Sequence, residues 1–425
     1  MDDEPCDGES SLDMTLNAGF LPRDVLVKIF SYCSFNDLAK SFQFVCSWWQ
    51  DASRERCLWK HFSYEPRGVT KEEIINMFRI CPQLKAVNLM SVTIDEEIFL
   101  ELIVNCPYLE VLSISWDAVY ELINLAIIQP LTNIKTLKLS RKENMIIDFE
   151  HVNNIFPNLE HLEFDVLFCR LKDLMIYLQE KRNSLHTLSL PCCSDDGCCI
   201  LPYTEACSNL KTLSLRNLCD SVESVSYDEV RHLKNITSLT FHYSDVGAEG
   251  EDGTVFKFFP NIVELRLYVC TQTSGKFLYE LSLSCPALRK LTISNEWHGL
   301  GSVLQDHNLE QLSNLKSLTH LTIRFNGFIT DEGIKYLEEI PCLTYLDLYD
   351  CEQVTIQCLK VVCSFSKLEV FKFDLQYNDL PIDLTTDYVK NKNLQLRFYN
   401  CNDLSVLQHL KKKFPNVGVI EENHC

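Results

Sequence analysis

The chain has 425 residues, 46% of them apolar, and a formal net charge of −20 with a pI near 5.0. That acidity argues against general affinity for nucleic acid or anionic membrane surfaces, and no stretch reaches the roughly 18 consecutive apolar residues of a membrane-spanning helix. The length exceeds what one hydrophobic core usually organises, which favours a repeat array joined to a small domain.

Residues 1–18 carry Asp2, Asp3, Glu4, Asp7, Glu9 and Asp13 without a single Lys or Arg. This is the composition of a solvated, disordered tail, and it lacks the basic-then-apolar pattern of a secretory leader. From residue 19 to residue 63 the character changes. Leu21-Pro22 opens a helix with proline in its first turn, and Leu26, Ile29 and Phe30 give that helix an apolar face. Ser34 is placed to cap a second helix carrying Leu38 and Phe42. A third is expected around Val45-Cys46 and Trp48-Trp49, and the segment closes at Leu58-Trp59. Three helices this short bury little surface, close to the lower limit for independent folding. The module is therefore either a cap for the remainder of the chain or a docking module whose remaining apolar surface a partner completes. Residues 64–80 read as a linker broken by Pro66 and Gly68, followed by a helix carrying Ile74, Met77 and Phe78.

Residues 81–425 are periodic. Leu343-Thr-Tyr-Leu346-Asp-Leu348-Tyr-Asp-Cys351 has the form L-x-x-L-x-L-x-x-C, the strand-and-corner signature of a leucine-rich repeat. Its first apolar position recurs at Leu84, Leu109, Ile134, Leu159, Leu185, Leu210, Ile236, Ile262, Leu288, Leu318, Leu343 and Leu368. The intervals are 25 or 26 residues, apart from one of 30 after Leu288, and all twenty-four positions three and five residues further on are apolar. Between them run helical stripes such as Phe99, Leu102, Ile103 and Cys106. Proline two residues before the strand leucine (Pro82, Pro107, Pro157, Pro260, Pro286) ends the helix. The expected fold class is α/β: a solenoid horseshoe of about twelve regular repeats and degenerate C-terminal units, with parallel strands inside and helices outside.

Several features are weighed for chemistry. Of the 21 cysteines, Cys81, Cys106, Cys207 and Cys285 stand at expected helix ends, and Cys193, Cys270 and Cys351 take the corner position. They read as reduced, buried small hydrophobes, which fits the cytoplasm or the nucleus. Cys192-Cys193 and Cys198-Cys199 match no common zinc spacing, so no metal is expected. The acidic glycine-rich loop 244–254 departs from calcium-loop spacing and reads as a solvated loop. Trp297, in the insertion 295–301 that lengthens one repeat, is either tucked against a neighbouring repeat or an exposed contact residue. No nucleotide-binding glycine loop, zinc-protease motif or nucleophile elbow is present, so no catalytic residue and no cofactor are expected.

Leu21-Pro22, Leu26, Ile29-Phe30, Asp37-Leu38, Val45-Cys46, Trp49 and Leu58-Trp59 resemble the F-box in order and spacing, with Cys33 where many F-boxes carry leucine. An F-box ahead of leucine-rich repeats is similar to the F-box/leucine-rich repeat proteins. That resemblance implies a non-catalytic substrate receptor of an Skp–cullin–F-box ubiquitin ligase. Leu21, Pro22, Leu26, Ile29, Phe30, Leu38, Val45, Cys46 and Trp49 would bind the Skp adaptor, and through it cullin and RING subunits. The repeats would hold the protein substrate.

Recognition is expected on the strand face, at residues alternating with the buried apolar positions. In the first five repeats these are small, polar or mixed. From the sixth onward Arg266, Tyr268, Lys290, Arg324, Tyr345, Tyr349 and Lys372 stand out, a local reversal of sign in an acidic chain. They are the candidate substrate-binding residues and are expected to form one strip that reads an acidic or phosphorylated segment. The alternatives are a scaffold that binds partners without supporting ubiquitination, and a nuclease-inhibitor-type binder of basic enzymes, against which the basic strip argues.

Overall fold

The computed structural model describes residues 21–34, 37–59, 63–66, 68–115, 130–140, 147–164, 171–191, 201–216, 231–242, 254–268, 275–295, 304–374, 390–391, 393–399, 408, 410–412 and 418–421. The acidic tail, the Cys192–Cys199 cluster, the corner residues Cys193 and Cys270, Trp297 and nearly all of the acidic loop lie outside them. The chain forms two compact units, 1–136 and 137–425.

The first unit begins with the helix Arg23–Phe30, entered through Pro22. The second helical segment is irregular: a wide π turn over Asp37–Ser41 runs into a 3-10 turn at Phe42–Phe44. Ser34 anchors its start, exchanging hydrogen bonds with Asp37 through both its backbone N–H and its hydroxyl. The irregular turns accommodate Phe42, whose ring stacks 4.5 Å from Phe30 and meets Trp49 edge-on at 5.3 Å. The third helix is Ser47–Ser53, so Val45 and Cys46 precede it rather than lie within it, and Arg56–Trp59 comes after it. The expected linker is structured from its first residues. Ser63–Tyr64 is already a strand (β1), pairing in parallel with Ala86–Asn88 (β2), which pairs with Val111–Ser115 (β3). Buried Tyr64 meets Phe78 of the helix Lys71–Ile80 edge-on. Thr70 and Glu73 form a reciprocal capping box at the start of that helix.

The second unit continues the pattern. Its strands are β4 (Thr136–Ser140, entering from the unit boundary), β5 (His161–Phe164), β6 (Thr187–Pro191), β7 (Thr212–Arg216), β8 (Ser238–His242) and β9 (Glu264–Tyr268). Next come β10 (Lys290–Ser294), β11 (His320–Arg324), β12 (Tyr345–Tyr349), β13 (Val370–Asp374), β14 (Gln395–Tyr399) and β15 (Gly418–Glu421). From β5 to β15 each strand pairs in parallel with the next, and the register aligns the repeat positions: Leu239, Leu265, Leu291, Leu321, Leu346, Phe371 and Leu396 face one another in sequence. These side chains are buried throughout. The architecture is the strand-and-helix solenoid with an all-parallel sheet that the periodicity predicts.

The outer segments differ from a uniform set of helices. Among the described residues Leu201–Ala206, Arg231–Asn235 and Thr254–Phe258 are 3-10 stretches, and Glu310–Asn314 is a 3-10 stretch that directly continues the helical turn Asp306–Leu309. Two polar devices lock one repeat to the next. In the first, Asn261, which follows Phe259-Pro260, donates to the Lys234 carbonyl at 2.8 Å; Asn209 and Asn391 do the same to the Asn183 and Leu368 carbonyls. At a helix start, Asp306 accepts from both the N–H and the hydroxyl of Thr330, and Asp331 repeats the contact with Thr355 one repeat later.

Candidate protein-interaction surfaces

The N-terminal candidates divide by burial. Leu26, Phe30 and Leu38 are fully buried and form the module's own core with Ala52, Leu58 and Trp59. Trp49 and Leu21 are half-buried. Trp49 packs edge-on to Phe30, and the Leu21 carbonyl accepts from the Trp48 indole at 3.0 Å. Pro22, Ile29, Val45 and Cys46 face solvent, with Ile29 45% and Val45 57% exposed. On the first helix Val25 and Ile29 are exposed beside the buried Leu26 and Phe30, and Tyr32 in the turn that follows is exposed as well. Phe44, 70% exposed, continues this apolar character in the second segment. A module of this size leaving so many large apolar side chains in water is the signature of an interaction surface.

On the strand face the register distributes the C-terminal candidates over three rows, not one strip. Lys290, His320 and Tyr345 share the first row; Arg266, Thr292, Thr322, Asp347, Lys372 and Arg397 the second; Tyr268, Ser294, Arg324 and Tyr349 the third. Only part of the set comes together. Arg324, Tyr345, Tyr349 and Lys372 gather around Asp347, which is completely buried although it occupies an outward strand position. Arg324 donates to its Oδ2 at 2.9 Å and the Tyr399 hydroxyl lies 3.4 Å from the same oxygen. Lys372 sits 5.7 Å from the Tyr345 ring centre and 5.8 Å from that of Tyr399, while the Arg324 guanidinium lies over Tyr349. Burial holds the Asp347 carboxyl above its ordinary pKa, with Arg324 and Lys372 pulling it back down. Arg266 and Tyr268 stand apart on β9, where Arg266 pairs with Glu264 at 2.7 Å and Tyr268 stacks on His242. Lys290 is exposed, and it helps to depress the pKa of His320, for which burial is the larger cause.

Two of the predicted cations are therefore already engaged by acids of the same face, which residue type alone did not reveal. The signal was present in Tyr345-Leu-Asp347-Leu-Tyr349: a carboxylate flanked on its own side of the strand by two aromatic residues is shielded from water. Among the described residues no group of three or more His, Cys, Asp or Glu is placed to hold a metal ion, and no helix is long and apolar enough to cross a membrane.

Residues 18–65 match the family model described as F-box-like. The N-terminal module is F-box-like. The chain thus joins an F-box-like motif to a repetitive strand-and-helix solenoid, an architecture consistent with F-box/leucine-rich repeat proteins. No curated protein sequence matches it. Among solved structures, an internalin (inlF) from Listeria monocytogenes aligns with a TM-score of 0.38 and 16% identity over 84% of this chain and 90% of that one. The yeast Rad7 and Elc1 complex aligns with a TM-score of 0.45 and 15% identity, over 88% of this chain and 92% of the matched one.

Proposed function

We propose that the protein is the substrate-recognition subunit of an Skp–cullin–F-box-type ubiquitin ligase. The F-box-like module docks on an Skp-type adaptor and the solenoid's strand face holds a protein substrate for ubiquitination. The observation that carries this reading is the exposed apolar set Ile29, Val45 and Phe44 on a module that matches the F-box-like model. Its core is complete without these side chains, so they are free to be covered by a partner. Such a receptor accelerates transfer without chemistry of its own, by raising the effective concentration of substrate lysines near the conjugating enzyme. On the strand face, Lys290 and the cation–aromatic cluster around Asp347 are the residues proposed to contact an acidic or phosphorylated substrate segment.

The test is capture of an Skp-type adaptor by the full chain. Ile29→Glu with Val45→Glu is expected to abolish capture while the circular dichroism spectrum stays that of the wild type, because neither side chain contributes to the core. Capture at the wild-type level would end the docking proposal. Ubiquitin transfer to a bound substrate in the reconstituted complex then separates a receptor from a scaffold that binds without supporting transfer.

A further inference from the structure

The helix face of the second unit carries a cleft that neither the adaptor nor the strand-face reading uses. It lies between the helices Phe149–Ile155 and Leu171–Glu180 of successive repeats. Its volume is about 400 Å³, and it is lined by Asp148, Phe149, Glu150, Asn153, Asn154, Asp173, Ile176, Tyr177 and Glu180. Four of these nine are carboxylates and none is a Lys or Arg. Asp148 is occupied: it caps its helix by accepting from the N–H groups of Glu150 and His151, and it faces the His151 ring at 2.8 Å. Glu180 accepts one bond from the Asn153 amide at 2.6 Å, which leaves its other oxygen available. Glu150 and Asp173 form no ion pair with any described residue. The ammonium of the nearby Lys181 donates to the Pro157 carbonyl, lies 5.8 Å from the Tyr177 ring centre and feels the charge of Glu180, but it forms no ion pair with Glu150 or Asp173.

At the floor of the cleft stands Tyr177. It is 1% exposed, held against Phe149 at 5.0 Å, and its hydroxyl has no hydrogen-bond partner. Leaving a buried hydroxyl unsatisfied is costly, and nothing in the repeat's packing requires it, because phenylalanine would fill the same space. Burial pushes its pKa up, and the neighbouring Cys207 thiol and then the Glu180 carboxylate add to that. At the rim Ile176 is 61% exposed.

The carboxylates do not converge closely enough for a metal ion among the described residues. A guanidinium has the opposite requirement. Its five donors fan outward in a plane and reach acceptors that are spread apart, and its aliphatic stem needs an apolar surface such as Ile176 to lie on. We propose that this cleft binds an arginine side chain of a partner protein. Glu150, Asp173 and Glu180 supply the acceptors, and the Tyr177 hydroxyl oxygen takes one further donor.

The test uses the full chain and a fluorescein-labelled Gly-Leu-Arg-Leu-Gly peptide, followed by polarisation, beside a twin with neutral, isosteric citrulline in place of arginine. The arginine peptide is expected to bind about tenfold more tightly than its twin, since charge-assisted bonds are roughly twice as strong as neutral ones. Asp173→Asn with Glu180→Gln should erase that difference. Glu72→Gln with Glu96→Gln, the same charge change at two exposed positions elsewhere, should leave it intact. Tyr177→Phe should weaken the arginine peptide without lowering the melting temperature, an outcome that a purely structural tyrosine would not give. Equal binding of the two peptides, equal binding by the cleft variant and wild type, or an equal loss in the control variant would each overturn the proposal.

Discussion

Asp347 is completely buried on a face whose neighbours are half in water, and this changes what Arg324 can be used to test. Arg324 is 43% exposed by side chain while its partner is 1% exposed, so the arginine supports the fold before it can contact anything else. Removing it leaves the carboxylate buried beside the Tyr399 hydroxyl, with one oxygen already unsatisfied. Arg324→Gln is expected to cost about 1–3 kcal/mol at neutral pH, the usual penalty for stranding a buried polar group. The sign with pH comes from the raised pKa: a carboxyl that holds its proton more tightly when folded favours the folded state as pH falls. The deficit in a urea melt should therefore shrink as pH is lowered toward the carboxylate range, and a deficit independent of pH would mean the penalty lies elsewhere. The buried thiols obey the same sign at the other end of the scale. Burial lifts Cys81, Cys106 and Cys285 from about 9 to about 12, and Cys207 to about 11. Unfolded thiols ionise first as pH rises, so the melting temperature should fall progressively above about pH 9. Thiol labelling of the native protein at pH 8 should reach the exposed Cys46 and Cys57 first among the described cysteines and leave these four unmodified.

At the scale of the element, helix starts serve as joints between repeats. The Asp306 carboxylate that holds Thr330 also lies against the backbone of Gly333, where an added Cβ would come within 2.2 Å of Oδ1 and 3.2 Å of the Asp306 Cα. Because the obstruction includes backbone, side-chain rotation alone cannot relieve it. Gly333→Ala would ordinarily favour a helix, yet here it is expected to destabilise by about 1–3 kcal/mol through overpacking. Chemical denaturation followed by circular dichroism measures this, and a stabilised variant would show that the Asp306–Thr330 joint is dispensable. The same element logic separates the two kinds of residue in the F-box-like module. Leu26→Ala would open a cavity costing about 2–5 kcal/mol, so its effect on adaptor capture would report folding. Ile29 and Val45 lie outside the core, so substituting them would test the proposed docking apart from folding.

At the scale of the molecule, a chain of net charge −20 presents cations on the strand face of β9 to β14 and carboxylates on the helix face between residues 148 and 180. The two faces suit partners of opposite charge. For the strand face the clean probe is Lys290, which is exposed and supports no buried acid. Lys290→Glu is expected to weaken substrate capture while adaptor capture and the melting temperature hold. Capture by the wild type should fall as salt is raised past about 0.15 M, where the screening length is roughly 8 Å. Retention unchanged by that substitution would remove Lys290 from recognition.

The repeat array was legible because stacking imposes the same burial on every copy. Leu84 through Leu368 and their companions had to be apolar at fixed spacing for a continuous core to form, and a period of 25 or 26 residues survives in the chain as written. The F-box-like module was legible from Leu26, Phe30 and Leu38 for the same reason, but the exposed Ile29 and Val45 looked no different from core residues, since an apolar side chain does not state which of two surfaces covers it. The irregular turns at Asp37–Phe44 were hidden because Phe42 is placed by ring contacts with Phe30 and Trp49, elements on either side of it. Tertiary structure alone decided the electrostatics. Arg324, Asp347, Lys372 and Tyr399 are separated by about a repeat each and meet only when parallel strands stack roughly 4.8 Å apart. Their charge balance is a property of that register, as is the meeting of residues 148–154 with 173–180 across the helix face. Local sequence fixes which side of a strand or helix a residue occupies; which charges then neutralise one another depends on neighbours a full repeat away.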